Sequence, residues 1–434
     1  MTSTLCSPPA SRQASPEPKA RSARRTRAAC RGCGGKRLKT ILDFGPLPLA
    51  NAFRTAEQIG KPESRYPLVL AFCSGCSLVQ LTETIPARTL FERYLYFSST
   101  SDTVLDASRE LVERTIRERG LTAASHVLEI ASNDGYLLQF YAARGIPALG
   151  IEPARNIARK ARERGIPTLG RFFGWELAAR LARDGFHADV IHANNVLAHA
   201  EDVHGFLAGI KMLLKPDGAA VIEVPYVKTL VERLEFDTIY HEHIFYFSLA
   251  SLERLAAAQG MEIAGTEPLA IHGGSLRVTL SHAGGMRRDI SEQVSILKRE
   301  EERLGVASFD FYAPFAGRVE SAKVQLKEFL RDRKARGARI AAYGASAKGT
   351  TLLNFCGIGS DILDFVVDRS PAKQGLFTPG TSLRISAPEK LLEAMPDYVL
   401  LLSWNFAGEI LAQQEEYRKR GGKFILPIPA PQVI

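Results

Sequence analysis

The sequence predicts an α/β protein of several domains, built around doubly wound parallel sheets. Three observations predict it: 434 residues that are 45% hydrophobic and 24% charged, a run from Ser125 in which short apolar strands alternate with helices, and a second such run from Ala338. At roughly 100 to 200 residues per domain, this length holds two or three cores. Strands and helices alternating at this rhythm give a parallel sheet covered on both faces, with ligands at the carboxyl ends of its strands. Six cysteines are too few for a disulfide scaffold, and no apolar run approaches the roughly 18 residues that cross a bilayer. A reducing compartment, the cytoplasm, is the expected location, with no membrane partner.

Residues 1–29 carry Arg12, Lys19, Arg21, Arg24, Arg25 and Arg27 against one acid, Glu17, so this segment holds much of the formal charge of +9. Rich in Ser, Pro and Ala and without hydrophobic periodicity, it is expected to be a disordered basic tail. The remainder is only mildly basic, which argues against a nucleic-acid partner for the folded part.

Residues 30–95 are expected to form a small metal-closed domain. Cys30-Arg31-Gly32-Cys33 and Cys73-Ser74-Gly75-Cys76 are paired knuckles, each with a glycine in its turn. Four thiolates without a carboxylate suit one structural zinc, with no coordination position left open for catalysis. Neither pair opens a βαβ unit, which sets aside a redox role. Cys6 and Cys356 are read as a tail thiol and a small buried hydrophobe.

Residues 96–285 are expected to hold the first doubly wound sheet. HVLEIASNDGYLLQFYAARG, PALGIEPARNIARKARERG and ADVIHANNVLAHAEDVHGFLAGIKMLLKPDG each read as strand, loop and helix. AAVIEVPYV adds a strand, and MEIAGTEPLA with SLRVTLS closes the sheet as a hairpin. Glu129, Asn133, Asp134 and Gly135 follow the first strand, Glu152 ends the second, and Asn194 and Asn195 follow the third. A second-strand carboxylate is placed to accept two ribose hydroxyls, and the alternative is that Glu152 caps the next helix. The first loop lacks the triple glycine that cradles a pyrophosphate, which favours S-adenosyl-methionine as the cofactor. Further along, Tyr240-His241-Glu242-His243 enters the apolar Ile244-Phe245-Tyr246-Phe247. Titratable groups concentrated in apolar sequence suit a tuned acid or base.

Residues 286–434 begin with polar helix from about Ser291 to Lys334 and continue into a second strand, glycine turn and helix, ARIAAYGASAKGTTLLNFC. Gly344 and Gly349 have the Walker spacing, but Lys348 precedes the second glycine, so no ATPase signature is present. A helix start bearing Ser346 and Lys348 suits an anion. Asp368, ending a later strand, is a further ribose acceptor to consider.

The paired knuckles, EIASNDGYLL, GIEPARNIA, HANNVLAH, YHEHIFYFS, IHGGSLR and AYGASAKGTTLLN, in this order, resemble the nucleotide-sugar C-methyltransferases of deoxysugar and antibiotic biosynthesis. The resemblance covers nearly everything after the tail. It implies an amino-terminal zinc domain, a class I methyltransferase sheet that binds adenosyl-methionine, a carboxyl-terminal Rossmann-like domain, and a nucleotide-diphosphate keto-sugar as substrate. It further implies His243 as the base, Tyr240 and Glu242 around the sugar, and His199 and Tyr94 as additional active-site members. Methylating carbon requires a proton removed beside a ketone and a donor for the enolate oxygen, and histidine titrates near working pH. Strand alternation would turn His241 away, and Glu242 and His243 share a site only if the segment is a loop. Two rival classes are a zinc-knuckle RNA-binding methyltransferase and a nicotinamide-dependent oxidoreductase using the second Rossmann unit. A monomer or weak homo-oligomer is expected.

Overall fold

The computed structural model describes residues 29–91, 95–270, 273–285 and 291–434. Residues 1–28 of the tail, Cys6 among them, and Tyr94 lie outside them. Three sheets organise the described residues. The central one has seven strands in the order Met261–Leu269, Ser275–His282, Leu214–Pro225, Ala188–Asn194, Val127–Ile130, Ala148–Ile151 and Thr168–Leu169. The last five run parallel, and Ser275–His282 runs antiparallel to both of its neighbours. Strand order reverses outward from Val127–Ile130, which opens the crevice where such sheets take ligands.

The carboxyl-terminal sheet orders Ile385–Ser386, Val366–Val367, Ile340–Tyr343, Tyr398–Leu401, Lys423–Leu426 and Gln432–Val433, all parallel except the last. The polar stretch before it forms two helices, Glu292–Leu304 and Phe315–Ala335, separated by a short 3-10 turn at Phe309–Phe311. Leucines and aromatics on one face of the second helix pack into the core.

The amino-terminal sheet contains a strand from far along the chain. Leu38–Leu47, Tyr66–Cys73 and Val79–Leu81 pair in antiparallel sequence, and Phe245–Tyr246 then adds to Val79–Leu81. The YHEHIFYFS segment therefore ends as an edge strand of the zinc-knuckle sheet. A domain of some sixty residues buries a smaller share of its surface than a larger one and is marginal on its own. Here Leu42, Phe44, Leu68 and Leu70 share a core with Val319, Leu352 and Cys356, while Cys30, Cys73 and Leu78 pack with the central sheet. Each buried Leu or Phe contributes roughly 1.5–3 kcal/mol. The small domain packs against both of the larger ones. No described helix is long and apolar enough to cross a membrane.

Candidate active site

The four knuckle sulfurs lie within 4.8 Å of one another. Cys30 Sγ stands 3.4 Å from Cys76 Sγ and Cys33 Sγ 3.6 Å from Cys73 Sγ. These separations are too long for disulfides, and a zinc tetrahedron with bonds near 2.3 Å has edges of about 3.8 Å. The Gly75 amide donates to Cys73 Sγ at 3.3 Å, as a glycine-containing knuckle allows. All four positions are supplied by protein, so the residues fit a structural zinc.

A single cavity of about 440 Å³ runs from the central sheet to the carboxyl-terminal one. At its first end, Glu152 holds two backbone amides, Ala154 N–H on Oε1 at 2.8 Å and Asn133 N–H on Oε2 at 3.1 Å. Each oxygen keeps a second lone pair, and burial pushes the carboxyl up to about 7 although both amides pull it down. Glu152 is thus both the anchor of the helix Arg155–Glu163 and part of the cavity wall. Asn194 and Asn195 also line it, and Asn194 Oδ1, buried there, makes no hydrogen bond. An acceptor pair suited to ribose and an unpaired amide oxygen fit adenosyl-methionine.

Three residues predicted with them do not line the cavity, and one of them, Glu129, lies within the strand Val127–Ile130 and not after it. Asp134 is off the cavity wall, its carboxylate held by Arg164 Nη1 at 2.8 Å and by the Ser99 hydroxyl. Gly135 supplies a left-handed turn at φ +81 and packs on Ile166. Glu129 is fully buried beneath this end, and burial holds its carboxyl well above the usual range. Asn133 lines the cavity, and its Oδ1 accepts the Ser98 amide at 3.0 Å.

At mid-cavity the segment 240–243 forms a turn, with His243 N–H donating to the Tyr240 carbonyl at 2.9 Å. A turn brings residues three apart together, which strand alternation does not. Tyr240 and His243 consequently face the cavity, while His241 donates to the Tyr66 carbonyl at 3.1 Å in the amino-terminal sheet. Glu242 stands one step back, accepting at 2.7 Å from Asn51, which does line the cavity. His243 Nδ1 lies 3.0 Å from the Thr238 carbonyl. A carbonyl only accepts, so Nδ1 carries the proton and Nε2 presents its lone pair, 2.8 Å from Tyr240 Oη. His199, with its ring 4.9 Å from that of His243, is pushed down to about 4 by burial and is neutral at working pH.

The far end belongs to the carboxyl-terminal sheet. Asp368 accepts Ala345 N–H and Ser370 N–H, each at 2.8 Å. This repeats the arrangement of Glu152: a carboxylate ending the second strand holds the amide two residues on and an amide of the first-strand loop. Lys348 lines the cavity with its Nζ 5.0 Å from the Trp404 ring, near Asp237 and Glu235. Burial lowers its proton affinity and these carboxylates restore part of it. Ser346 is committed to its own helix, accepting the Gly349 amide at 3.1 Å. Gly344 lines the cavity, whereas Gly349 is absent from it and lets the helix Ala347–Cys356 pass close to Leu402.

Several residues here escaped sequence reasoning. Glu235 lines the cavity and burial pushes its carboxyl up to about 8; Asp237 accepts from Trp404 Nε1 at 2.7 Å; Lys373 donates to the Ala345 carbonyl at 2.8 Å. The acids of Glu235-Phe236-Asp237, just before the Tyr240 cluster, were a usable signal. Asn51 and Trp404 gave none, because only tertiary packing brings them in.

Compared with known proteins, residues 30–91 match the family model of a zinc binding domain, residues 103–264 that of a methyltransferase domain, and residues 270–429 that of the C-methyltransferase C-terminal domain. The chain is 36% identical over 405 residues to C-methyltransferase NovU of Streptomyces niveus, covering 93% of this chain and 96% of that one. Among solved structures, magnesium protoporphyrin IX methyltransferase (ChlM) of Synechocystis PCC 6803 with bound SAM covers 41% of this chain and 79% of its own at 13% identity and TM-score 0.32. The PH0226 protein of Pyrococcus horikoshii OT3 covers 46% of this chain and 100% of its own at 14% identity and TM-score 0.36. At scores this low these two structures add nothing to the assignment.

Proposed function

Because the chain belongs to the C-methyltransferase family, we propose that it methylates a ring carbon beside the ketone of a nucleotide-linked 4-keto deoxysugar through an enolate generated by His243. One observation carries this reading: a single cavity joins the Glu152 end, a base of defined tautomer, and a second acidic strand end at Asp368. A donor that gives a methyl to carbon and a nucleotide-bearing acceptor need two such ends facing one base.

Bound S-adenosyl-methionine supplies an electrophilic methyl group on a sulfonium sulfur. Glu152 accepts the ribose hydroxyls, and Asn194 and Asn195 meet the remainder. His243 Nε2 takes the proton from the carbon beside the ketone, and the C–H electron pair enters the enolate. Tyr240 Oη, released from Nε2, donates to the enolate oxygen, and neutral His199 is a second donor close by. The enolate carbon would then take the methyl, its electron pair forming the new C–C bond while the pair of the broken S–CH3 bond stays on sulfur and S-adenosyl-homocysteine leaves. Asn51, steadied by Glu242, borders the sugar. Lys348, with the helix start beyond Ser346 and Gly344, meets the diphosphate, and Asp368 meets the nucleoside.

Glu152→Ala should weaken adenosyl-methionine binding by roughly 1.5–3 kcal/mol, the scale of a charge-assisted hydrogen bond. Hydroxyl donors favour the ionised carboxylate, so binding below its raised proton affinity must first expel a proton. In the native protein the affinity should therefore be roughly tenfold weaker at pH 6 than at pH 8, a dependence that Glu152→Gln removes. Calorimetry at the two pH values checks both; unchanged affinity in Glu152→Ala would make this residue a helix anchor alone.

Lys348→Ala should raise the Michaelis constant for the sugar nucleotide by about tenfold and leave cofactor affinity untouched, since the contact is remote from the reacting carbon. Normal binding of a nucleoside diphosphate by this variant would move the anion off the carboxyl-terminal domain. The proposal as a whole is tested by mass spectrometry of the products formed from adenosyl-methionine and a panel of keto-sugar nucleotides.

A further inference from the structure

We propose that Arg277 is a positioning residue of the methyl-donor site, acting on Asn195 through Glu223. Asn195 lines the cavity with its backbone in the left-handed region at φ +52, a conformation that asparagine adopts more readily than most residues with a side chain. Two bonds to one residue hold it there. Its N–H donates to the Glu223 carbonyl at 2.7 Å, and its Nδ2 donates to Glu223 Oε1 at 3.1 Å.

Glu223 is only 5% exposed, so its carboxylate requires a cation. Arg277 provides it, with Nη2 3.1 Å from Glu223 Oε2 and Nη1 2.7 Å from Glu267 Oε2. Glu267 is in turn gripped by Arg114, through both carboxylate oxygens at 3.0 and 2.6 Å. Strand register builds this ladder: Glu267 lies directly opposite Arg277, Arg277 opposite Glu223, and Glu223 opposite Asn194. Four neighbouring strands thus carry a row of cross-strand partners from the surface helix Asp102–Arg119 to the cavity. The planar guanidinium fork presents one nitrogen to each of the two carboxylates.

The ladder also gives a use to Gly274 and Arg277 of the IHGGSLR motif, which the catalytic reading leaves aside. Gly274, at φ +143, has no room for a Cβ, which would fall 2.3 Å from Thr229 Cγ2. The missing Cβ lets the strand Ser275–His282, which carries Arg277 opposite Glu223, start tight against the helix Val227–Arg233.

The inference rests on the assignment of Asn195 to the cofactor and is independent of the sugar. It is tested by calorimetric titration of adenosyl-methionine into the full chain and its variants Asn195→Ala, Arg277→Met, Arg277→Lys and the double variant Asn195→Ala with Arg277→Met. Arg277→Met should raise Kd about tenfold at unchanged binding stoichiometry, Arg277→Lys should raise it about threefold, and the double variant should bind no worse than Asn195→Ala. A purely structural role lowers the fraction of competent sites and leaves Kd where it was. Kd within twofold of native in both Arg277 variants, or effects that add in full to Asn195→Ala, would overturn the proposal. Should Arg277→Met fail to fold, Arg277→Lys, which keeps the charge and the stem, is combined with Asn195→Ala and decides by the same criteria. An unchanged Kd in Asn195→Ala itself refutes the cofactor assignment; a raised Kd there with native affinity in the Arg277 variants refutes the ladder alone.

Discussion

His243→Ala and His243→Asn should each lower methyl transfer by at least ~10²-fold, the usual contribution of a general base, while adenosyl-methionine still binds with native affinity. The expectation follows from one hydrogen bond. The Thr238 carbonyl fixes the proton on Nδ1, so the neutral ring presents a lone pair from Nε2 into the cavity. Neither replacement offers a basic nitrogen there, and neither touches Glu152, Asn194 or Asn195. In the proposed mechanism proton removal precedes methyl transfer, so without a methyl donor deuterium from solvent should enter the substrate ring carbon with the native protein and fail to enter with either variant. Near-normal turnover in both variants would transfer the role of base to another residue.

Cys73→Ala should lose the bound metal together with much of the soluble protein. Native protein should carry one zinc per chain by elemental analysis, because the binding energy of a four-thiolate site is also folding energy. The loss should extend beyond the small domain. His204 Nε2 contacts the Gly32 carbonyl of the first knuckle at 2.7 Å, and Ser77, just past the second, takes a hydrogen bond from Arg254 and donates to the Ala307 carbonyl. Gln80 and Val79 pair with Phe245 and Tyr246, and Leu81 N–H bonds the Ile244 carbonyl one residue past His243. Loosening the knuckles should therefore loosen the strand that follows His243. Metal-free protein with native stability, or stoichiometric iron in place of zinc, would remove this account.

What could be read from the chain alone divides along physical lines. Strand and helix alternation is a local pattern, so both large sheets were legible, and the knuckles announce a metal through side-chain chemistry at short spacing. The cavity wall was legible where one segment carries several titratable groups or a strand end does: Glu152, and Tyr240 with His243. It was not legible where tertiary packing decides. Asp134 looks like a ligand in a loop, yet Arg164 and Ser99 claim its carboxylate. Phe245-Tyr246 looks like the interior of the central domain, yet it completes a sheet that begins two hundred residues earlier. Asn51 reaches the cavity only because the small domain packs beside it, and Trp404 reaches Asp237 only because the two large domains meet there.

The most direct test of the central claim is a product analysis with adenosyl-methionine carrying an isotopically labelled methyl group and a panel of nucleotide-linked 4-keto sugars. The account predicts at least one sugar nucleotide that gains a single labelled methyl on a ring carbon next to the ketone, with no such product from His243→Ala. A label found on oxygen or nitrogen, or a carbon-methylated product formed at native rate without His243, would contradict it.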